Sequence, residues 1–308
     1  MNFLKSVAVL GMFAMVVGCS KNDPAPSDNG TPEPTPLPEE AVELKEQLLG
    51  RWELNGEFSL DAVLAKQQAV DAARSVARTI TKRMETSPQY NYSYTYTAFI
   101  EFLSNDRYLL SDTKGKLYSG SFEVDDDGSV ALSGLGRISD IEVGDGDISF
   151  DFTPTESNQT IKATGSKVAE IEADDRTTKL VGTWELLPEE DGAAFYAEPF
   201  EVWGENDTIA SDTVMVERLT LTFTGSGTYA LTVYAEGGTV VDSYVQNWRW
   251  HSSDADKFVY WEEGWDVDED EDYVQIVRND NGLLHTEEYW IDGDEIEVLR
   301  LNFKRVAQ

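Results

Sequence analysis

The chain has 308 residues, 41% of them hydrophobic, with 58 Asp and Glu against 24 Lys and Arg and a formal charge of −34. That is enough chain for one to three domains. Its charge excludes partners that present phosphate, such as nucleic acid and anionic lipid surfaces. One cysteine, Cys19, excludes an internal disulfide.

The first element is an export signal over 1–18. Lys5 begins it, and an apolar run from Val7 to Val17 follows, too short to span a bilayer as a helix. It ends in Val16-Val17-Gly18-Cys19, which resembles a bacterial lipobox: an apolar residue, a small residue, then the cysteine that is acylated. The resemblance implies a membrane partner through a lipid anchor on Cys19, strong enough to hold once two or more chains are attached. Ser20, rather than Asp, after the cysteine favours the outer membrane. Lys21 with Asp23 is similar to the surface-export signal of Bacteroidota lipoproteins, so the protein is expected to face the surface or the periplasm.

Residues 19–40 hold six of the ten prolines and read as an extended tether. At about 3.1 Å per residue it reaches up to roughly 60 Å.

The first domain is expected over 41–168. Glu39 to Leu49 reads as a short helix ended by Gly50, and Arg51 to Phe58 as a strand. A helix over 60–85 follows, with Leu60, Val63, Leu64, Val70, Ala73, Val76, Ala77, Ile80 and Met84 at helical spacing. Arg74, Arg78 and Lys82 make a basic row, expected to pair with acidic neighbours. From Tyr90 the period becomes two: Tyr92, Tyr94 and Tyr96 share the parity of Ala98, Ile100 and Phe102, which should face a core. These tyrosines are candidates for stacking on a ligand, although an aromatic strand that simply packs explains them too. Turns at Asn105-Asp106, Lys114-Gly115-Lys116, Asp125 to Gly128 and Gly144 to Asp147 then cut the chain into short strands.

The second domain is expected over 175–308, and it repeats the first. Leu48-Leu49-Gly50-Arg51-Trp52-Glu53-Leu54 returns as Leu180-Val181-Gly182-Thr183-Trp184-Glu185-Leu186, 132 positions on. Phe102 to Tyr108 is echoed by Phe223 to Tyr229, 121 positions on, so the first copy carries 11 more residues between its motifs. The second copy has a loop, Ala193 to Asp212, where the first has its helix. Seven of the eight tryptophans lie in this half. Trp248 and Trp250 share one strand face and are candidate ligand contacts. A final strand pair turns at Asp292-Gly293-Asp294.

The repeated Gly-x-Trp followed by a Phe-(x)5-Tyr hairpin resembles the lipocalin-like domains of Bacteroidota lipoproteins, over about 44–165 and about 178–306. The resemblance implies a mainly β fold: two tandem antiparallel lipocalin-like β-barrels, the first with an inserted α-helix. It also implies that Trp52 and Trp184 close one end of each barrel, and that an open end can take a small molecule. The expected ligand is a glycan or a small apolar molecule. The alternative is a structural or assembly subunit of an outer-membrane complex, with an envelope protein as partner.

Chemistry is sparse. His251 and His285 sit in no metal spacing and no nucleophile motif, and no P-loop, GxGxxG or GxSxG occurs. No enzyme and no cofactor are expected. Residues 262–272 hold eight acids in eleven positions. Asp266, Asp268, Asp270 and Asp272 are weak calcium candidates on one face if the stretch is a strand; a solvated acidic loop is the plainer alternative, because Glu271 replaces the glycine of a calcium loop. Thr208 and Thr213, in Asp-Thr-apolar triplets, resemble Bacteroidota O-glycosylation sites.

Overall fold

The computed structural model of the chain describes residues 38–55, 58, 97–113, 117–155, 160–197, 199–203, 210–262, 267–293 and 295–306. Cys19, the tether up to Leu37, the 60–85 helix, Tyr92, Tyr94, Tyr96, Thr208 and Asp266 lie outside them. Among the described residues, no helix is long and apolar enough to cross a membrane.

The chain is mainly β, as its short alternating runs require. Helix α1 (Glu39–Leu48) leads into β1 (Gly50–Asn55), then β2 (Ala98–Phe102), β3 (Arg107–Asp112), β4 (Leu117–Val124), β5 (Val130–Leu132), β6 (Gly136–Val143), β7 (Asp147–Pro154) and β8 (Ile161–Lys167). Each strand pairs antiparallel with the next, and β8 returns to β1, closing an eight-stranded barrel. Closure leaves no free sheet edge.

Helix α2 (Asp175–Leu180), capped by the Asp174 carboxylate on the Thr177 amide, opens the second copy. Strand β9 (Gly182–Leu186) follows. A 3-10 turn (Glu190–Ala193), helix α3 (Ala194–Ala197) and a hairpin of β10 (Phe200–Trp203) with β11 (Ala210–Val214) come next. The expected loop at 193–212 is therefore partly ordered structure; its sequence has too few periodic residues to show a four-residue helix. Strands β12 (Val216–Phe223), β13 (Thr228–Ala235), β14 (Thr239–Trp250), β15 (Lys257–Trp261), β16 (Asp272–Asp280), β17 (Leu283–Asp292) and β18 (Glu295–Arg305) complete a second closed barrel with β9.

The Gly-x-Trp motif builds the same plug twice. The Trp52 indole N–H donates to the Leu48 carbonyl at 2.8 Å, and that of Trp184 to Leu180 at 2.8 Å. Each bond satisfies a carbonyl that the helix end leaves open. The glycines turn the chain at φ 107° (Gly50) and 136° (Gly182), where a β-carbon is strained. A β-carbon would also crowd the Lys167 side chain at Gly50 and come within 2.7 Å of the Arg305 guanidinium at Gly182. Those cations come from the last strand of each barrel and lie over the indoles, at 5.3 Å from Trp52 and 5.0 Å from Trp184.

Both barrels belong to one compact unit, Leu37–Gln308. Arg51, on the outer face of β1, donates to Asn247 on the outer face of β14 at 2.8 Å and stacks on Phe99. The Thr228 hydroxyl donates to Glu101 at 2.6 Å, and Ser243 donates to the Leu117 carbonyl. Between the two sheets lies a recess of about 10 Å³ beside Arg51, Phe99, Ser111, Val245 and Glu262, room for about one water.

Candidate functional site

The two barrels share a frame, so their interiors can be matched strand by strand. Leu54 pairs with Gly165, which pairs with Ile148. Leu186 pairs with Phe303, which pairs with Leu284. Counting on by twos along β7 and β17 sets Phe150 against Thr286 and Phe152 against Glu288. The other way round agrees. Val124–Val130–Ile138–Phe152 in the first barrel matches Trp250–Phe258–Val274–Glu288 in the second.

The first interior is filled. Phe150 and Phe152 point inward and grip Phe58, which turns back onto them with ring centroids 6.3 and 5.6 Å away. Leu54, Ala98, Ile100, Phe102, Leu110 and Phe122 complete a buried apolar core. Trp52 lies at one end of this core, and Phe58 lies beyond the end of β1.

The second interior is packed in the half beside its plug. Trp248 is 1% exposed, and its N–H donates to the Thr224 carbonyl at 3.1 Å. Trp250 is buried too, and its N–H donates to the Thr177 hydroxyl of α2 at 2.8 Å. The two rings meet edge to face at 5.5 Å. The structure thus places both indoles in the packed core beside the plug, with their polar atoms already engaged.

Further from the plug the lining changes. Inward-facing Leu231, Tyr244, Tyr260, Ile276, Trp290, Leu299 and Leu301 are half-buried, whereas the inward residues of the first barrel named above are buried. Thr286 and Glu288 replace two phenylalanines, and Gln246 stands where the first barrel has Gly120, both facing the hairpin tyrosine of their barrel. That tyrosine differs in its surroundings. Tyr108 donates to the Ser133 carbonyl at 2.9 Å, while Tyr229 stacks on Tyr260 at 4.8 Å and 7°. Tyr229 also feels the charge of Glu288.

Two of these polar groups have unmet bonding capacity. Glu288 is 8% exposed and Gln246 6%. Among the described residues, Glu288 Oε1 and Gln246 Nε2 have no hydrogen-bond partner. A buried polar atom in this state is rare and costly. Burial alone pushes the Glu288 carboxyl up to about 8, so at neutral pH it is largely the uncharged acid.

The connection from β15 to β16 is acidic and its turn folds back against the end of β14. Asp268 accepts the Asp270 amide and begins a turn that closes on the Asp272 amide. Among the described residues, Asp268 and Asp270 lie in this turn and Asp272 begins β16, so they do not align along one strand. Glu269 is tied down by Arg249 at 2.8 Å and by the Ser252 amide at 2.9 Å, which hold its carboxyl at about 2. Asp272 is raised by desolvation and by Asp268. Among the described residues, no group of three acids, histidines or cysteines could hold a metal ion. Thr213 lies exposed on β11, opposite Glu201.

Residue patterning alone passes over Glu288, Gln246 and Thr286. The signal is present in the run Leu284, Thr286, Glu288, Trp290, where two polar residues occupy the inward phase of a strand. It becomes legible only once the phase is known. Glu101 gives a similar signal within Ala98-Phe99-Ile100-Glu101-Phe102, buried at every position.

No protein-family model matches the chain, and no curated protein matches it. Among solved structures, a protein of unknown function of the DUF3598 family from Nostoc punctiforme aligns over 86% of this chain and 98% of its own, at 12% identity and a TM-score of 0.19.

Proposed function

We propose that the protein is a lipid-anchored, lipocalin-like lipoprotein of the bacterial outer membrane, and a binder rather than an enzyme, that holds a small ligand in the open end of its second barrel. The observation that carries this is the exchange of Phe150 and Phe152 for Thr286 and Glu288 at matched positions, with half-buried residues around them. The first barrel serves as a rigid mount. A lining of tyrosine, carboxyl, amide and hydroxyl suits a sugar or similar hydroxylated molecule better than a purely apolar one. The lipobox-like Cys19 and the proline-rich tether support the address.

The test is to restore the first barrel's filling in the second with the double variant Thr286→Phe, Glu288→Phe. Native mass spectrometry of wild type taken from its own membranes should show a bound small molecule, and the variant should lose it while keeping its β circular dichroism. A wild type that carries nothing and binds nothing from a glycan array sinks the proposal. The anchor is checked separately: Cys19→Ala should abolish acyl labelling and release the protein from the membrane fraction.

A second reading has its own observation. The outer face of β16 to β18 exposes Ile296 at 64% beside half-buried Tyr289, Ile291 and Val298, an apolar strip that suits an envelope protein partner. Mild crosslinking in cells, followed by co-purification, tests it; loss of the crosslink in Ile296→Asp supports that face, and a solitary protein removes the reading.

A further inference from the structure

We infer that the ligand of the second barrel is a small organic amine, held by its ammonium group on Glu288 beside the Tyr229–Tyr260 stack, with an oxygen acceptor of the ligand on Gln246. This rests on the reading that the barrel binds a small molecule, and adds the ligand's charge.

Three independent features point to a cation. Glu288 Oε1 is an acceptor with no donor, nine-tenths buried on the inward face. Next to it, Tyr229 and Tyr260 offer aromatic surface, which attracts ammonium groups. The approach is acidic, since Asp292 and Glu295 flank the β17–β18 turn at the end of the barrel away from the Trp184 plug, and Asp272 begins β16 on that side opposite Trp290. In a chain of charge −34, such a rim concentrates cations and repels carboxylates and phosphates. A metal ion fits poorly, because one carboxyl and one amide are too few ligands. The free Gln246 Nε2 can only donate. The amine must therefore also carry a hydroxyl or ether oxygen, as amino sugars and amino alcohols do.

The protonation balance makes the inference measurable. In the empty barrel Glu288 is largely the neutral acid at pH 7. Ammonium binding stabilises its carboxylate, so the acid O–H ionises, the proton leaves to solvent, and the ion pair remains. Binding should release up to one proton per ligand at pH 7 and, for an alkylammonium such as tyramine that keeps its own proton at pH 8, should tighten as pH rises toward 8.

The experiment is isothermal titration of the full mature protein at pH 7, in two buffers of different ionisation heat. Two matched pairs serve as probes: glucosamine with glucose, and tyramine with its alcohol analogue tyrosol. At least one amine should bind about tenfold or more tightly than its neutral twin, the gain of a charge-assisted bond over a neutral one, with proton release. Glu288→Gln should erase both the preference and the release. Gln246→Leu should weaken amine and twin alike. Equal binding of amine and neutral twin overturns the amine assignment and leaves the site standing. A preference that survives Glu288→Gln removes Glu288 from the role. If neither member of either pair binds, the amine and the barrel site fall together.

Discussion

Glu101 on one barrel accepts the hydroxyl of Thr228 on the other at 2.6 Å, and both are buried. Burial raises the Glu101 carboxyl, while Thr228, Thr224, Arg51 and Ser226 pull it back down. The seam is thus a buried polar network, and such networks specify geometry when every member is satisfied. Glu101→Ala strands Thr228 and leaves Arg51 without its buried counter-charge. The expected cost is about 3 kcal/mol. Calorimetry should show one unfolding transition in wild type and two in the variant, as the barrels come apart energetically. A single, unshifted transition in Glu101→Ala would show that the seam does not couple them.

The twin plugs allow an internal comparison. Trp52→Phe and Trp184→Phe each remove one indole N–H and leave a helix-end carbonyl buried without a donor. Each also leaves a gap under the cation that covers the ring. We expect a loss of about 2–4 kcal/mol for either variant, read from urea midpoints at unchanged slope. Values that differ widely between the barrels would contradict the equivalence of the plugs.

Phe58 tells the first barrel from the second. Its ring is enclosed by Phe150 and Phe152, so Phe58→Ala should open a dry cavity and cost about 3–5 kcal/mol. Xenon or benzene should bind the variant and not the wild type, by the shift of the Phe150 and Phe152 ring signals in NMR. Wild type that binds the probe equally well would mean that the first barrel already has space.

Much of the fold is legible because it rests on local chemistry. Gly-x-Trp needs a positive φ and an indole, and Phe102 with Tyr108, like Phe223 with Tyr229, pair directly across their hairpins. Closure into two barrels follows once such strands run in series. The site is harder to read, because it depends on long-range register. Trp248 and Trp250 look like ligand contacts when strand faces are counted alone. They become core when α2 places Thr177, and the β12–β13 turn places Thr224, under their N–H groups. Thr286 and Glu288 look like ordinary strand polarity until β16 and β18 fix their phase. Arg51 and Glu101 belong to outward phases, and only the second barrel buries them.

The Glu288 carboxyl has an ordinary value of 4.5 and is raised to about 8 in the fold by burial. Below pH 4.5 the folded and unfolded chains both hold this proton, and the group adds no pH dependence. Between about 4.5 and 8 the folded protein keeps a proton that the unfolded chain has lost, so its stability falls as pH rises, by up to about 1.4 kcal/mol per unit. Above about 8 both forms are ionised and the slope ends. Glu288→Gln cannot ionise, so its stability should run flatter than wild type across this window, with the difference growing in favour of the variant toward pH 8. Urea unfolding of both proteins at half-unit steps from pH 5 to 8.5 measures it. Parallel curves would mean that Glu288 ionises freely in the folded barrel. In the presence of a bound amine the wild-type slope should shrink as well, because the ion pair lowers the carboxyl toward its ordinary value and removes the proton difference between the two states.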